Sequence, residues 1–121
     1  MNYQETVNYL KSYKDLYYHH EYLSNRIEGI KAIGYEDKNI GPCRTLNDYL
    51  DEKYQVEQKM AEIEDLIGNI ECYRQKLVLK YKFLEFMTLE MVADKMNYSY
   101  RQVCRYYREG IENIKNSLIL V

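Results

Sequence analysis

The chain has few of the residues that interrupt helices. Its 121 residues include one proline, five glycines and no tryptophan. Proline and glycine are the strongest local signals of turns, so their scarcity favours a few long elements over many short ones. Strand-like alternation is hard to find, whereas helical spacing runs through most of the sequence. We therefore predict an all-α protein.

Cysteine is also scarce and shows no pattern of pairing. Cys43, Cys72 and Cys104 are odd in number and far apart, with neither a CxxC pair nor the spacing of metal ligands. This arrangement is typical of reduced thiols in a cytosolic protein. The sequence shows no signal peptide and no apolar run near the roughly 20 residues of a membrane span. We predict a cytoplasmic protein with no membrane partner.

Tyrosine is the abundant aromatic residue. Fifteen Tyr accompany only two Phe. Tyrosine combines apolar area with a polar tip, which suits half-buried helix faces and interfaces. A surface that stacks nucleic-acid bases is the alternative, and we favour helix packing over it.

The formal net charge of −2 is unevenly spread. Residues 1–70 contain 8 Lys+Arg against 13 Asp+Glu, a balance of −5, and residues 71–121 contain 9 against 6, a balance of +3. A phosphate backbone would attract the second segment and repel the first. Since most charges on helices simply face solvent, the asymmetry supports a nucleic-acid partner only together with a motif.

Two apolar stripes at helical spacing dominate the first part of the chain. The first consists of Tyr9, Tyr13, Leu16, His20, Leu23, Ile27 and Ile30. The second consists of Tyr49, Val56, Met60, Ile63, Ile67, Ile70 and Leu77, interrupted by Lys53 and Arg74. Alternating steps of four and three are typical of a helical hairpin or coiled coil. We predict an antiparallel hairpin that closes either within one chain or across a dimer.

Turn and cap signals separate the two stripes. Gly34 is the expected stop of the first helix, and residues 34–45 contain two Gly and the single Pro, which predicts a loop. Thr45 is the expected N-cap of the second helix. Asp48 follows three positions later, in a capping-box arrangement.

A glycine inside the second stripe marks the predicted domain boundary. Gly68, followed by Asn69, costs about 1 kcal/mol relative to Ala in a helix interior, so we predict a kink or a hinge there. The chain is accordingly divided into a hairpin arm, residues 1–70, and a C-terminal domain, residues 71–121. That domain opens with a helix carrying Leu77, Val78, Tyr81 and Leu84, which breaks near Glu85.

Residues 88–108 predict two short helices joined by a tight turn. Thr88 is the expected N-cap of the first helix, and Asn97 suits the left-handed conformation that a sharp turn requires. Ser99 is expected to cap the second helix. The apolar stripe of the first helix consists of Leu89, Val92, Ala93 and Met96.

The second helix of this pair has a basic outer face. Val103 and Tyr106 or Tyr107 are expected to face inward. The residues expected to face outward are Arg101, Gln102, Arg105 and Arg108, with no acid between Ser99 and Arg108. A helix, a short turn and a basic second helix are the layout of a helix-turn-helix that reads DNA.

The stretch from about Arg74 to Asn116 resembles region four of bacterial sigma factors, which reads the upstream promoter element. The matching segments are QKLVLKYKF (75–83), MTLEMVADKMNYS (87–99) and VCRYYREGIENIK (103–115). Met91, Asn97 and Gly110 stand where that family usually has Glu, Gly and Ala. With its long acidic N-terminal arm, the whole layout resembles phage-encoded ArpU-like late-gene transcriptional regulators.

The resemblance implies that the start of the second helix lines a DNA groove, through Ser99, Tyr100, Arg101, Gln102 and Arg105. Physical chemistry supports the same roles: arginine grips guanine and glutamine grips adenine. Hydroxyls at helix N-termini, as at Thr88 and Ser99, suit a phosphate. Arg108 and Lys115 lie farther along and are expected to contact phosphates.

An enzyme is not expected. His19 and His20 have no acid at ligand spacing, and His20 lies on the apolar stripe, where a seam histidine is the better interpretation than a metal ligand. Cys104 follows the same reasoning and is expected to be a structural thiol. No phosphate loop or nucleophile motif is present, so no catalytic residue, metal or cofactor is predicted.

Two functions are kept. The first is a transcriptional regulator that binds double-stranded DNA as a homodimer. Its arm would serve for assembly or for contact with RNA polymerase. The second is a protein-interaction module that mimics a sigma domain and binds RNA polymerase or another regulator without reading DNA.

Overall fold

The structure, a computed structural model, describes residues 2–33 and 45–119. Its elements are α1 (Tyr3–Ile33), α2 (Leu46–Gly68), α3 (Tyr73–Leu79), a π-helical segment (Lys80–Leu84), α4 (Leu89–Met96) and α5 (Tyr100–Ile119). No strand occurs within the described ranges. The prediction of an all-α protein is confirmed.

The chain divides into two compact units. The major unit comprises Met1–Lys14 and Glu62–Val121, and the minor unit comprises Asp15–Ala61. The start of α1 and the end of α2 thus pack with the segments that follow residue 70. The predicted division into residues 1–70 and 71–121 stays a prediction, because packing within one chain does not show which segments fold alone.

The minor unit is built on the predicted stripes. Leu23 and Ile27 of α1 and Tyr49 and Val56 of α2 are buried together. Residues that pack against them are Leu16, Ile30, Leu46 and Met60. This apolar cluster therefore combines residues of both predicted stripes.

Polar contacts border this apolar seam. His20 Nε2 lies 2.9 Å from Glu57 Oε2, and His19 Nε2 lies 3.2 Å from Glu52 Oε1. His20 is half-buried on the stripe with a carboxylate partner, as expected of a seam histidine. Each of these two contacts joins a histidine of α1 to a glutamate of α2.

The start of α2 follows its cap signal. The Thr45 N–H donates to Asp48 Oδ2 at 3.0 Å, and the Asp48 N–H donates to Thr45 Oγ1 at 3.2 Å. This reciprocal pair confirms the predicted capping box. Helix α1 ends at Ile33, and the predicted loop signals at residues 34–44, with Cys43 among them, lie outside the described residues.

The start of α1 buries a wider face than its predicted stripe. Thr6, Val7 and Leu10 are buried in addition to Tyr13. The reason is that this part of α1 has neighbours on several elements. The Tyr13 hydroxyl donates to Glu64 of α2 at 2.9 Å, and the Tyr13 ring lies 6.3 Å from that of Phe86. A heptad stripe predicts contact with one partner helix only.

The break at Gly68 is more complete than a kink. Helix α2 ends at Gly68, and α3 begins at Tyr73. Ile70, counted in the second stripe, lies between the helices and is buried. The stripe therefore continues through the core although the helix does not.

The helix predicted from Leu77 to Leu84 exists, but its second half is π-helical. The Glu85 N–H donates to the Lys80 carbonyl at 3.1 Å, a bond that spans five residues. Val78, Leu79 and Phe83 are the buried residues of this stretch, whereas the predicted Leu77, Tyr81 and Leu84 are only half-buried. The predicted break near Glu85 is confirmed, and Phe86 there has a φ of 62°.

Helices α3, α4 and α5 share one core. Its buried members are Val78, Val92, Ala93, Val103 and Tyr106. Gly110 of α5 allows a close approach to α3, because a Cβ added there would lie 2.9 Å from Leu79 Cδ1. In the sequence Gly110 is only a departure from the Ala that the resembled family usually has, and the structure gives a packing reason for a small residue there.

Candidate nucleic-acid interface

The first helix of the candidate interface begins and ends as its sequence predicts. The Met91 N–H donates to Thr88 Oγ1 at 3.2 Å, so Thr88 is the N-cap of α4. Asn97 ends the helix in the left-handed conformation, with φ 59° and ψ 39°. Val92 and Ala93 face the core, while Glu90 and Asp94 are exposed. The predicted cap, the predicted left-handed turn residue and the inward position of Val92 and Ala93 are confirmed.

The second helix starts with a capping box that was not predicted. The Gln102 N–H donates to Ser99 Oγ at 3.1 Å, and the Ser99 N–H donates to Gln102 Oε1 at 3.1 Å. The S-x-x-Q spacing is itself the signal that could have revealed it. Gln102 therefore uses its amide oxygen within the protein, and it must release this bond to grip an adenine with both amide atoms.

Three arginines form an exposed row on α5. Arg101, Arg105 and Arg108 all face solvent, while Val103 and Tyr106 are buried behind them. At 100° per residue the three fall within an arc of about 60°, along about 10 Å of helix. This length suits insertion of a helix end into a major groove, which is about 12 Å wide.

The row is not free of acids. Arg105 Nε lies 3.5 Å from Glu109 Oε1, and its guanidinium lies over the Tyr106 ring at 5.1 Å from the centroid. The acid-free interval that the sequence showed ends at Arg108, and Glu109 comes one residue later. An exposed pair of this kind contributes little, so Arg105 can exchange Glu109 for a base or a phosphate.

The far end of the row carries mixed charge. Lys115 Nζ lies 3.5 Å from Glu112 Oε2 and is half-buried. Tyr3 of α1 lies in the same neighbourhood: burial raises the pKa of Tyr3, while Arg108 lowers it and Glu112 raises it. Phosphate contacts by Arg108 and Lys115 stay predictions, and these neighbours make that end of α5 less favourable for an anion than its start.

Arg74 is a supporting residue that the sequence treated only as an interruption of a stripe. Its guanidinium lies 5.9 Å from the centroid of Tyr98, in the turn before α5, and donates to the Tyr106 hydroxyl at 3.4 Å. The donated bond from Arg74, with a further contribution from Arg105, lowers the pKa of Tyr106. Arg74 of α3 therefore contacts both the turn before α5, at Tyr98, and α5 itself, at Tyr106.

Two other features complete the surface. Tyr100 is half exposed at the start of α5, and its contact with Cys104 raises the pKa of the phenol. Cys104 is half-buried.

Among residues 2–33 and 45–119, no group of three or more His, Cys, Asp or Glu residues is arranged to hold a metal ion.

In the same described ranges, no helix has the length and apolar character needed to cross a membrane. A comparison with protein-family models finds no match, and comparisons with curated proteins and with solved structures find none either.

Proposed function

We propose that this protein is a DNA-binding transcriptional regulator whose α4 and α5 act as a helix-turn-helix. The observation that carries the proposal is the exposed row of Arg101, Arg105 and Arg108 on a helix that starts with a capping box. A sharp left-handed turn at Asn97 sets this helix against α4. A rigid helix start with unburied guanidinium groups is what major-groove reading requires.

The residues at the start of α5 take different parts in this proposal. Arg101 and Arg105 grip guanine edges, and the Tyr100 ring, half exposed beside them, makes an apolar contact in the groove. Thr88 and Ser99, at the N-termini of α4 and α5, lie where backbone phosphates bind helix ends. Gln102 contacts an adenine only where that contact stabilises the complex by more than the lost capping bond to Ser99.

We propose that α1 and α2 form an antiparallel hairpin closed within one chain. Contact partners support this register, because they fall along α2 as they rise along α1. His20 meets Glu57, and Arg26 meets Tyr49, with the Arg26 guanidinium 6.0 Å from the Tyr49 ring centroid. The hairpin is then available for assembly of a homodimer, which would supply paired half-sites, or for contact with RNA polymerase.

The test is fluorescence anisotropy of the full chain on duplexes selected from a random pool, over a salt series. Arg101→Ala and Arg105→Ala are each expected to cost about 1–3 kcal/mol on the selected duplex. Arg108→Ala should weaken all duplexes alike and reduce the salt slope. Lys59→Ala, at an exposed position of α2, is the matched control. Equal affinity in all four variants would contradict groove reading by α5.

A second candidate function is protein binding without DNA readout. It is favoured by Met91, whose side chain is 52% exposed on α4, at a position where the resembled family usually has a charged residue. Exposed methionines suit adaptable protein contacts. Failure to bind any duplex at low salt, together with capture of RNA polymerase that is lost in Met91→Glu, would establish this candidate instead.

A further inference from the structure

A cleft in the major unit collects three lysines. It has a volume of about 250 Å³ and is lined by Lys11, Lys14, Lys82, Phe83 and Phe86. None of these residues belongs to the arginine row of α5. A cleft of this size has room for a pyrophosphate-sized anion with part of its hydration shell.

The fold brings these lysines together from two distant segments. Lys11 and Lys14 are three residues apart and share one face of α1. Lys82 lies on the π-helical segment, where the extra residue of the turn lets Phe83 enter the core against Tyr107, at 5.8 Å between ring centroids. Short π-helical insertions of this kind are frequent at functional sites.

Phe86 forms the wall between the two segments. Its ring lies 6.3 Å from that of Tyr13, and Lys14 Nζ lies 5.7 Å from its centroid. Its backbone has a φ of 62°, which is unfavourable for a bulky side chain. The surrounding contacts thus hold an unfavourable conformation that keeps an aromatic ring beside the lysines.

The positive charge in the cleft has no acidic partner within the described residues. No acid lines the cleft, and none of these three lysines forms an ion pair there. The nearest acids along the chain, Asp15 and Glu85, are exposed and do not line it. Like charges that converge on one concave surface repel each other, and a bound anion would relieve that repulsion.

We propose that this cleft binds a phosphate-bearing ligand through the three lysine ammonium groups. Lysine is a flexible point charge, so the site selects charge density more than shape. Phosphate groups can come from two sources: a free phosphorylated small molecule or the backbone of the nucleic acid. The site itself does not depend on the proposed DNA reading by α5, and only the second source rests on it.

The first arm of the test is calorimetric titration of the full chain with tripolyphosphate. Lys14→Gln and Lys82→Gln are each expected to weaken binding by about tenfold. Lys82→Arg, which keeps the charge, should retain binding, and Lys59→Gln on α2 is the matched control. Circular dichroism melting checks that each variant is folded. No binding at millimolar tripolyphosphate, or an equal loss in Lys59→Gln, would overturn the proposal.

The second arm identifies the source with a selected duplex. If the ligand is the nucleic-acid backbone, duplex should displace tripolyphosphate, and Lys82→Gln should reduce the salt slope of duplex binding by about one charge. If the ligand is a free phosphorylated molecule, Lys82→Gln should leave duplex binding unchanged. Tripolyphosphate binding without any duplex binding would refute the proposed function but would still support the anion site in the cleft.

Discussion

The two compact units bury apolar surface in different ways. In the minor unit, α1 and α2 meet along one seam, with Leu23, Ile27, Tyr49 and Val56 buried and His–Glu contacts beside them. In the major unit, segments from all five α-helices contribute buried residues, among them Leu10, Ile67, Val78, Val92 and Ile111. A side chain in the seam has neighbours on one partner helix, whereas a side chain in the major core is enclosed by several.

Charge follows the same division. The major unit contains 11 Lys+Arg against 10 Asp+Glu, and the minor unit contains 6 against 9. Both cationic features, the arginine row of α5 and the lysine cleft, belong to the major unit. The unit with the enclosed core thus also carries the surfaces suited to anions, while the minor unit has an acidic balance and a simpler seam.

The strongest test of this comparison is a substitution that creates a cavity in the core of each unit. Ile111 and Leu23 are both fully buried. Ile111→Ala and Leu23→Ala are each expected to destabilise by about 2–5 kcal/mol, with the larger loss for Ile111 because its enclosed site cannot collapse onto the void. Urea unfolding followed by circular dichroism measures both.

Hydrogen exchange then shows whether the units open together. If they are independent, Leu23→Ala should speed exchange in α1 and α2 near the seam and leave α5 protected. A greater loss for Leu23 than for Ile111 would reverse our ranking of the two cores.

A glycine-to-alanine substitution in each unit shows how tightly the helices pack there. At Gly110 a Cβ would lie 2.9 Å from Leu79 Cδ1, whereas at Gly29 nothing lies within 4 Å. Gly29→Ala should stabilise by about 1 kcal/mol through helix propensity alone. Gly110→Ala gains the same propensity but crowds a fully buried leucine, so we expect a net loss of about 1 kcal/mol. Stabilisation by both substitutions would show that the α3–α5 contact is less tight than its geometry indicates.

Alkaline pH should affect the major unit through Tyr107. Burial, with a contribution from Tyr3, raises the pKa of Tyr107 to about 12. The same phenol has a pKa of about 10 in the unfolded chain, so its stabilising effect is complete below about pH 10 and is lost as the pH rises to about 12. After allowance for partial exposure, the loss is about 1 kcal/mol.

Unfolding free energies across that pH range measure the effect. Tyr107→Phe should remove this part of the pH dependence. Tyr54→Phe, at a tyrosine that is 62% exposed in the minor unit, is the control. An identical alkaline profile in wild type and Tyr107→Phe would show that this phenol does not control it.

The smallest effect is expected at the polar border of the minor seam. Glu57 lies 2.9 Å from His20 Nε2, and its side chain is about half exposed. Glu57→Gln should therefore cost less than about 1 kcal/mol, since exposed pairs contribute little. Glu28→Gln, an exposed acid on α1, is the control. A loss much larger than in the core variants would mean that polar contacts, and not the apolar seam, hold α1 to α2.

Local signals predicted much of the candidate site. Thr88, Asn97 and Ser99 take their expected cap and turn conformations, because each depends on residues within three positions. The exposure of the arginine row follows from helical periodicity in the same way. The capping role of Gln102 and the pairing of Arg105 with Glu109 were missed, although their spacings of three and four are visible in the sequence.

The contacts that could not be foreseen join residues far apart in the chain. Gln75 is buried and donates to Glu109 at 3.0 Å, and its amide oxygen accepts from Asn113. These partners are 34 and 38 positions away, respectively. No periodicity or cap rule relates such positions, so a buried glutamine looks like an ordinary polar residue in the sequence.

By itself the sequence determined the helical class, the starts of α2, α4 and α5, and the apolar faces of α4 and α5, because these depend on neighbours within about one turn. Only the tertiary structure decided that the first residues of α1 pack beside α5 and that Lys11, Lys14 and Lys82 line one cleft. It also decided that Gly110 faces Leu79. The physical reason is that these arrangements follow from how whole helices pack, and packing selects among many pairings that local spacing leaves equally acceptable.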